Sequence, residues 1–222
     1  MTTEKQMEQV IKILKKNKKK FIVPALTEIA RERDPFKVLV SCILSLRTRD
    51  ATTAKVSEQL YKVADTPKNI SNMNVKKLAN IIRPVNYYKT KAKRIKVISQ
   101  RIVKEFSGKV PSDIETLLTF KGVGRKTANI VIVYGFNKHG IPVDTHVHRV
   151  SNRLGWVETK TPEKTETKLR EILPKKYWID LNDLFVQFGQ NVCTPRNPKC
   201  SICPINKYCK YYREVYTHSK KA

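Results

Sequence analysis

Four cysteines, Cys193, Cys200, Cys203 and Cys209, fall within 17 residues of a 222-residue chain. The spacing Cys-x6-Cys-x2-Cys-x5-Cys gathers four soft donors in one short loop. Cysteines clustered like this in an intracellular chain favour metal over disulfides. The spacing is neither two separated CxxC pairs nor a ferredoxin pattern, so zinc and a [4Fe–4S] cluster both stand. A fifth cysteine, Cys42, shares an apolar helical stripe with Leu39, Ile43 and Leu46 and reads as a small core residue. The other residues suited to chemistry are a lysine and an aspartate. Lys126 follows Gly122-Val123-Gly124-Arg125, just inside an expected helix. The positive helix terminus and the cation at Arg125 both disfavour its ammonium, and a neutral amine can form a Schiff base with an aldehydic carbon. A plain phosphate contact is the alternative. Asp144 comes 18 residues later, after Gly140-Ile141-Pro142 and before another expected helix, where it can serve as an N-cap or as a catalytic carboxylate.

The elements that must hold these residues read as helices. Leu39, Cys42, Ile43 and Leu46 repeat at helical spacing after Asp34-Pro35, a cap followed by a first-turn proline. Val56, Leu60 and Val63 continue the pattern, and Ile95, Ile98, Ile102 and Phe106 form a third stripe whose other faces carry Lys91, Lys93, Arg94, Lys96 and Arg101. Ser112-Asp113-Ile114-Glu115 has capping-box form, Thr161-Pro162 opens another helix, and Leu181 to Phe188 forms one more. The lysine-rich segment 15–20 is expected to end the first helix. No alternating strand pattern runs far, and the expectation is all-α, with roughly ten helices and short connections. Between two of them, Gly-Val-Gly allows a tight turn with positive φ and strips side chains from it. Backbone N–H groups can then approach a phosphate, with Lys121, Arg125 and Lys126 around the same spot. An ordinary αα-corner with packing glycines is the competing explanation.

Lys and Arg number 45 against 19 Asp and Glu, a formal charge of +26. Such a charge opposes compaction and implies a polyanionic partner, a nucleic acid or an anionic membrane surface. An apolar fraction of 40% with 8% aromatics supports a packed core and excludes a wholly disordered basic protein. The longest stretch free of charge, Leu184 to Pro195, has 12 residues, against about 20 for a spanning helix. The N-terminal residues are too polar and basic for a signal peptide or anchor.

Phe120-Lys121-Gly122-Val123-Gly124-Arg125-Lys126-Thr127-Ala128-Asn129 resembles the helix-hairpin-helix of the endonuclease III family of DNA glycosylases. Val143-Asp144-Thr145-His146-Val147-His148-Arg149-Val150 is similar to a second family motif, and the cysteine spacing to the family's cluster loop. The three motifs stand in order, from about Asp34 to Tyr211, as in an archaeal-like member. The resemblance implies a two-lobed helix-hairpin-helix glycosylase fold. Its helical barrel would span residues 28–138, and residues 1–27 and 139–222 would form the second lobe. The cleft between the lobes would hold Lys126 and Asp144. It implies a [4Fe–4S] cluster on Cys193, Cys200, Cys203 and Cys209. It also implies catalysis by Lys126, attacking C1′ of the damaged nucleotide, and by Asp144, assisting deprotonation and stabilising charge on the sugar. Relatives that only remove bases typically have another residue at the lysine, so Lys126 points to a bifunctional glycosylase and AP lyase for oxidised pyrimidines, cutting 3′ to the site by β-elimination. Duplex DNA would be contacted through Arg47, Tyr87, Lys121, Gly122, Val123, Gly124, Arg125, Thr127 and His146. The protein is expected to be a monomer inside the cell, associated with DNA (cytoplasm or nucleoid in a prokaryote) and not with membrane. The rival readings are a monofunctional glycosylase for mismatches or other lesions and a non-catalytic DNA-binding protein with a structural metal.

The chain departs from the family pattern at the probing loops. Ser45-Leu46-Arg47-Thr48-Arg49-Asp50 stands where the family has Ser-x-Gln-x-x-Asp, placing Arg47 where glutamine enters the space of the flipped base. Val85-Asn86-Tyr87-Tyr88 replaces Ile-Gly-Leu/Phe-Tyr. Asn86 is expected to tolerate the glycine's positive φ, and Tyr87 takes the place of the apolar wedge. Lys121 replaces a usual proline.

Overall fold

The computed structural model describes residues 3–18, 25–29 and 32–217. Among these the chain is helical with no β-strand, and it divides into two compact units, Pro24–Gly140 and Met1–Val23 with Ile141–Ala222. Twelve α-helices follow in order among the described residues. They are α1 (Glu4–Asn17), α2 (Ala25–Ile29), α3 (Pro35–Ser45), α4 (Asp50–Val63), α5 (Pro67–Asn72), α6 (Val75–Ile81), α7 (Tyr88–Glu105), α8 (Ile114–Leu118), α9 (Arg125–Ile130), α10 (Thr145–Leu154), α11 (Pro162–Ile172) and α12 (Trp178–Asn191). None is long and apolar enough to cross a membrane.

In the unit Pro24–Gly140, α3 is the central helix. Asp34 Oδ1 caps it by accepting from the Phe36 and Lys37 amides at 2.8 and 3.1 Å, and Pro35 presets the first turn. Every residue from Val38 to Leu44 is buried, as a helix packed on all sides requires. On α4 the buried positions are Thr53, Val56, Ser57 and Leu60. Val63, expected in that stripe, is 51% exposed; the helix ends there, and Ala64 packs inward instead. Along α7, Ile95, Ile98 and Ile102 are buried as the spacing predicts, and Phe106 meets Phe120 edge to face at 5.9 Å. Lys91 corrects the expected polar face of this helix. It is only 4% exposed, and its charge is satisfied by carbonyls. The expected box Ser112-x-x-Glu115 shifts by one residue: Asp113 is the cap of α8, accepting from the Thr116 amide at 2.8 Å. A π-helical turn, Val131–Gly135, continues α9. A Cβ on Gly135 would lie 2.8 Å from Pro35 Cα, so only glycine lets this turn lie on the start of α3.

The other unit has a separate apolar core. Met7, Val10, Ile11 and Leu14 of α1, Val147, Val150 and Leu154 of α10, and Phe185 and Phe188 of α12 share it. Thr3 and Gln6 form a reciprocal capping box at the start of α1, which the sequence reading did not identify. The helix ends at Asn17; Lys19 and Lys20, the end of the lysine-rich segment, lie outside the described residues. Gly155, at φ 76°, closes α10 in the left-handed conformation that glycine adopts without strain. Trp156 then packs on Phe185 with ring centroids 5.2 Å apart.

Candidate functional site

The hairpin between α8 and α9 is anchored from below and open on top. Phe120 is fully buried, and the Val123 amide donates to its carbonyl at 2.9 Å, closing the turn. Gly122 has φ 87°, as expected of a tight turn. Gly124 does not; it is extended (φ −98°, ψ 176°) and is the N-cap residue of α9. A Cβ there would meet nothing within 4 Å, so this glycine bares backbone at the helix start and fills no packing role. The first amides of a helix have no intrahelical partner and carry its positive end. Lys121 and Arg125 are exposed beside them. The Val123 and Thr127 side chains are buried, so any contact these two residues make with a ligand runs through backbone.

Lys126 is the second residue of α9 and is half-buried. Its charge reaches the Cys42 thiol, which burial pushes up to about 12 while Lys126 pulls it down. Cys42 is therefore a protonated core residue, as its stripe suggested.

In the other unit, Asp144 caps α10. Its Oδ1 accepts from the His146 amide at 2.9 Å and the Val147 amide at 2.8 Å. The residue is half-buried, and the second carboxylate oxygen makes no hydrogen bond among the described residues. Capping thus occupies one oxygen and leaves the other for chemistry. The turn before it is tied down by the buried Asn182, which donates to the Pro142 carbonyl at 2.8 Å. His146 is half-buried, with Arg149 Nη2 3.1 Å from its Nδ1.

The four clustered cysteines line one cavity floored by Leu154 and Ile205. Burial raises the thiols of Cys200, Cys203 and Cys209, Cys203 to about 12, and the neighbouring sulfurs add to each shift. A metal that takes the protons' place relieves this cost. Four sulfurs lining one cavity fit a cluster in which each cysteine binds its own iron. Arg149 Nη2 and Nε donate to the Cys193 carbonyl at 2.9 and 3.0 Å, and Arg153 Nη1 reaches Cys193 Sγ at 3.4 Å and the Thr194 carbonyl at 2.7 Å.

Arg47 and Tyr87 occupy neighbouring turns of the first-described unit, both with left-handed backbone (φ 54° and 57°). Arg47 is exposed and Tyr87 is 63% exposed. The positive φ expected at Asn86 falls on Tyr87 instead, and the Asn86 side-chain amide donates to the Arg47 carbonyl.

Residues 40–175 match the HhH-GPD superfamily of base excision DNA repair proteins, and residues 193–209 match the iron–sulfur binding domain of endonuclease III. The second match begins at Cys193 and ends at Cys209. Endonuclease III of Thermotoga maritima is 47% identical over 183 residues, covering 82% of this chain and 86% of that protein. The chain belongs to the endonuclease III family. Two solved structures agree. A non-covalent endonuclease III–DNA complex matches with TM-score 0.85 at 30% identity over 98% of this chain and 100% of that one. A trapped endonuclease III–DNA covalent intermediate, an estranged-adenine complex, matches with TM-score 0.79 at 30% identity over 97% and 100%. The chain is a DNA-binding glycosylase and AP lyase of base excision repair, and its cofactor is a [4Fe–4S] cluster.

Several arginines hold the site in roles that the sequence did not assign to them. Arg101 donates to the Thr119 carbonyl and hydroxyl at 3.0 and 2.8 Å and stacks on Phe120 at 4.9 Å, fixing the hairpin's entry. The Arg94 guanidinium lies where a Cβ on Gly122 would be, 2.3 Å from its Nε. Arg149 and Arg153 stand four residues apart on the helix that Asp144 caps. That i, i+4 spacing was the available signal for a shared target.

Proposed function

We propose that Lys126 is the nucleophile and Schiff-base residue, Asp144 its partner carboxylate, and oxidised pyrimidines in duplex DNA the substrate. The observation that carries this reading is the placement of a half-buried lysine in the first turn of the helix that leaves an open Gly-Val-Gly hairpin. The hairpin's amides, with Lys121 and Arg125, hold phosphates near the lesion, and Arg47 and Tyr87 occupy the gap left when the damaged nucleotide turns out of the duplex. Gly122, Val123, Gly124 and Thr127 are assigned backbone contacts with DNA, and His146 a side-chain contact.

The chemistry follows in balanced steps. The C1′–N bond breaks and its electron pair leaves with the base, while Lys126 Nζ bonds to C1′. The free oxygen of Asp144 takes up the proton that the lysine must lose and faces positive charge developing on the sugar. Ring opening gives an imine. Loss of a 2′ proton then expels the 3′ phosphate by β-elimination, and water returns the lysine. Cys193, Cys200, Cys203 and Cys209 would hold the cluster, and Arg149 and Arg153 fasten its loop to α10. The barrel lobe is assigned to residues 28–138 and the second lobe to 1–27 and 139–222. The protein acts as a monomer on DNA inside the cell.

A panel of lesion duplexes assayed with and without borohydride tests the reading. Hydride adds to the imine carbon and leaves a stable amine, so a covalent complex on oxidised-pyrimidine duplexes supports it. Base release without a trapped complex sinks the lyase assignment. Binding should also carry a salt signature. Lys121→Gln and Arg125→Gln should each lower the slope of log affinity against log salt by about 0.9, equally on damaged and undamaged duplexes. An unchanged slope would remove those residues from the phosphate contacts. For the metal, Cys203→Ser should give protein depleted in iron and sulfide, with a lower melting temperature; full iron and sulfide content would exclude Cys203 as a ligand.

A further inference from the structure

The mechanism gives no task to Lys91, although a buried ammonium is expensive to keep. All three of its protons are directed. Nζ donates to the Leu44 and Leu46 carbonyls at 2.7 Å each and to Thr48 Oγ1 at 3.0 Å. Those acceptors belong to the end of α3 and the turn after it, which carries Arg47. Lys91 itself sits in the first turn of α7, four residues after Tyr87, and its amide donates to the Tyr87 carbonyl at 3.0 Å. A cation there opposes the positive end of α7 but matches the carbonyl end of α3. Its position therefore serves the junction and not its own helix. Burial, with Arg94 adding to it, lowers the Lys91 pKa to about 8.

Asn86 joins the same two turns from the outside. Its side-chain amide donates to the Arg47 carbonyl, and its backbone amide to Thr48 Oγ1 at 3.3 Å. Thr48 Oγ1 is thus shared by Lys91 and Asn86. The two residues so joined, Arg47 and Tyr87, are both non-glycine residues held at positive φ, a strained state that persists only where surroundings over-determine it. We infer that Lys91 and Asn86 are positioning residues that fix the Arg47 turn to the Tyr87 turn, so that the two side chains probe the duplex as one rigid pair and not independently.

This rests on the reading of Arg47 and Tyr87 as probing residues, and the test separates the two. In the full cluster-containing enzyme, base excision from a lesion duplex is measured for Arg47→Ala, Tyr87→Ala and the double variant. The cycle is repeated in Lys91→Met and in Asn86→Ala, the latter at an exposed position that should leave folding intact. Cleavage of a duplex with a preformed abasic site is followed in parallel. In the parent the two alanine changes should be non-additive by about tenfold, the range of directly coupled residues. In either brace variant they should become additive. Excision should fall more than abasic-site cleavage, which a general loss of fold would not produce. Lys91→Arg, keeping donors and charge, should recover part of the coupling. Coupling of the same size in folded Lys91→Met or in Asn86→Ala overturns the inference. Unchanged excision in both single alanine variants instead overturns the probing assignment, and the inference with it.

Discussion

Lys126→Ala should abolish borohydride trapping and lower abasic-site cleavage by on the order of 10⁴-fold, as removal of a covalent nucleophile does. The size of the effect follows from what the amine supplies. Without Nζ there is no imine, and without an imine the 2′ proton is not acidic enough for β-elimination. DNA binding should change far less. Lys126 is one cation among many in a chain of net charge +26, and the hairpin amides do not depend on its side chain. Folding should survive as well, because the side chain is only half-buried and the thiol of Cys42, which its charge reaches, is protonated with or without it. The measurement is single-turnover cleavage of an abasic-site duplex, with filter or gel binding of the same duplex at fixed salt. Cleavage within tenfold of the parent would place the nucleophile elsewhere.

Asp144→Asn should lower base excision by about 10²–10⁴-fold, the usual range for a positioned general base. It should leave thermal stability almost unchanged. The reason is the division of labour between the two oxygens. Oδ1 accepts from the His146 and Val147 amides, and the asparagine carbonyl can do the same, since Asn and Asp are about equal as N-caps. The second oxygen is replaced by an amide that accepts no proton. Asp144→Ala should lose both functions, adding about 1 kcal/mol of destabilisation from the missing cap. The comparison is therefore between two substitutions at one position, read by excision rate and by melting temperature. An asparagine variant with parental excision would reduce Asp144 to a cap, the simpler role its sequence position always allowed.

Much of the site was legible because its signals are local. Gly122-Val123-Gly124 before Arg125-Lys126, Asp144 before an apolar-periodic run, and four cysteines in one loop are short patterns whose meaning depends on neighbours in sequence. Asp34-Pro35 likewise announced α3. Local readings failed where the answer depended on what the chain packed against. Lys91 falls among lysines and arginines on α7 and reads as part of a solvated face, yet it is buried against the carbonyls of α3. Val63 fits the stripe of α4 and faces solvent. The cap of α8 moved from Ser112 to Asp113, since both residues suit the role and only the path of the chain chooses.

The sequence by itself determined the helical class, the hairpin, the candidate nucleophile and carboxylate, and the cluster loop, with the resemblance to one family resting on those patterns. It left cluster and zinc unresolved from spacing, because spacing counts donors without placing them. The match to the iron–sulfur binding domain of endonuclease III decided that point, and the tertiary structure sets the four cysteines around one cavity. The tertiary structure decided which arginines clamp the loop, which oxygen of Asp144 stays open, and how the turns of Arg47 and Tyr87 are joined. Each of these is a contact between residues roughly 40 apart in sequence, or a choice between atoms of one side chain. Periodicity and composition carry no term for either, since both are created only when the helices pack.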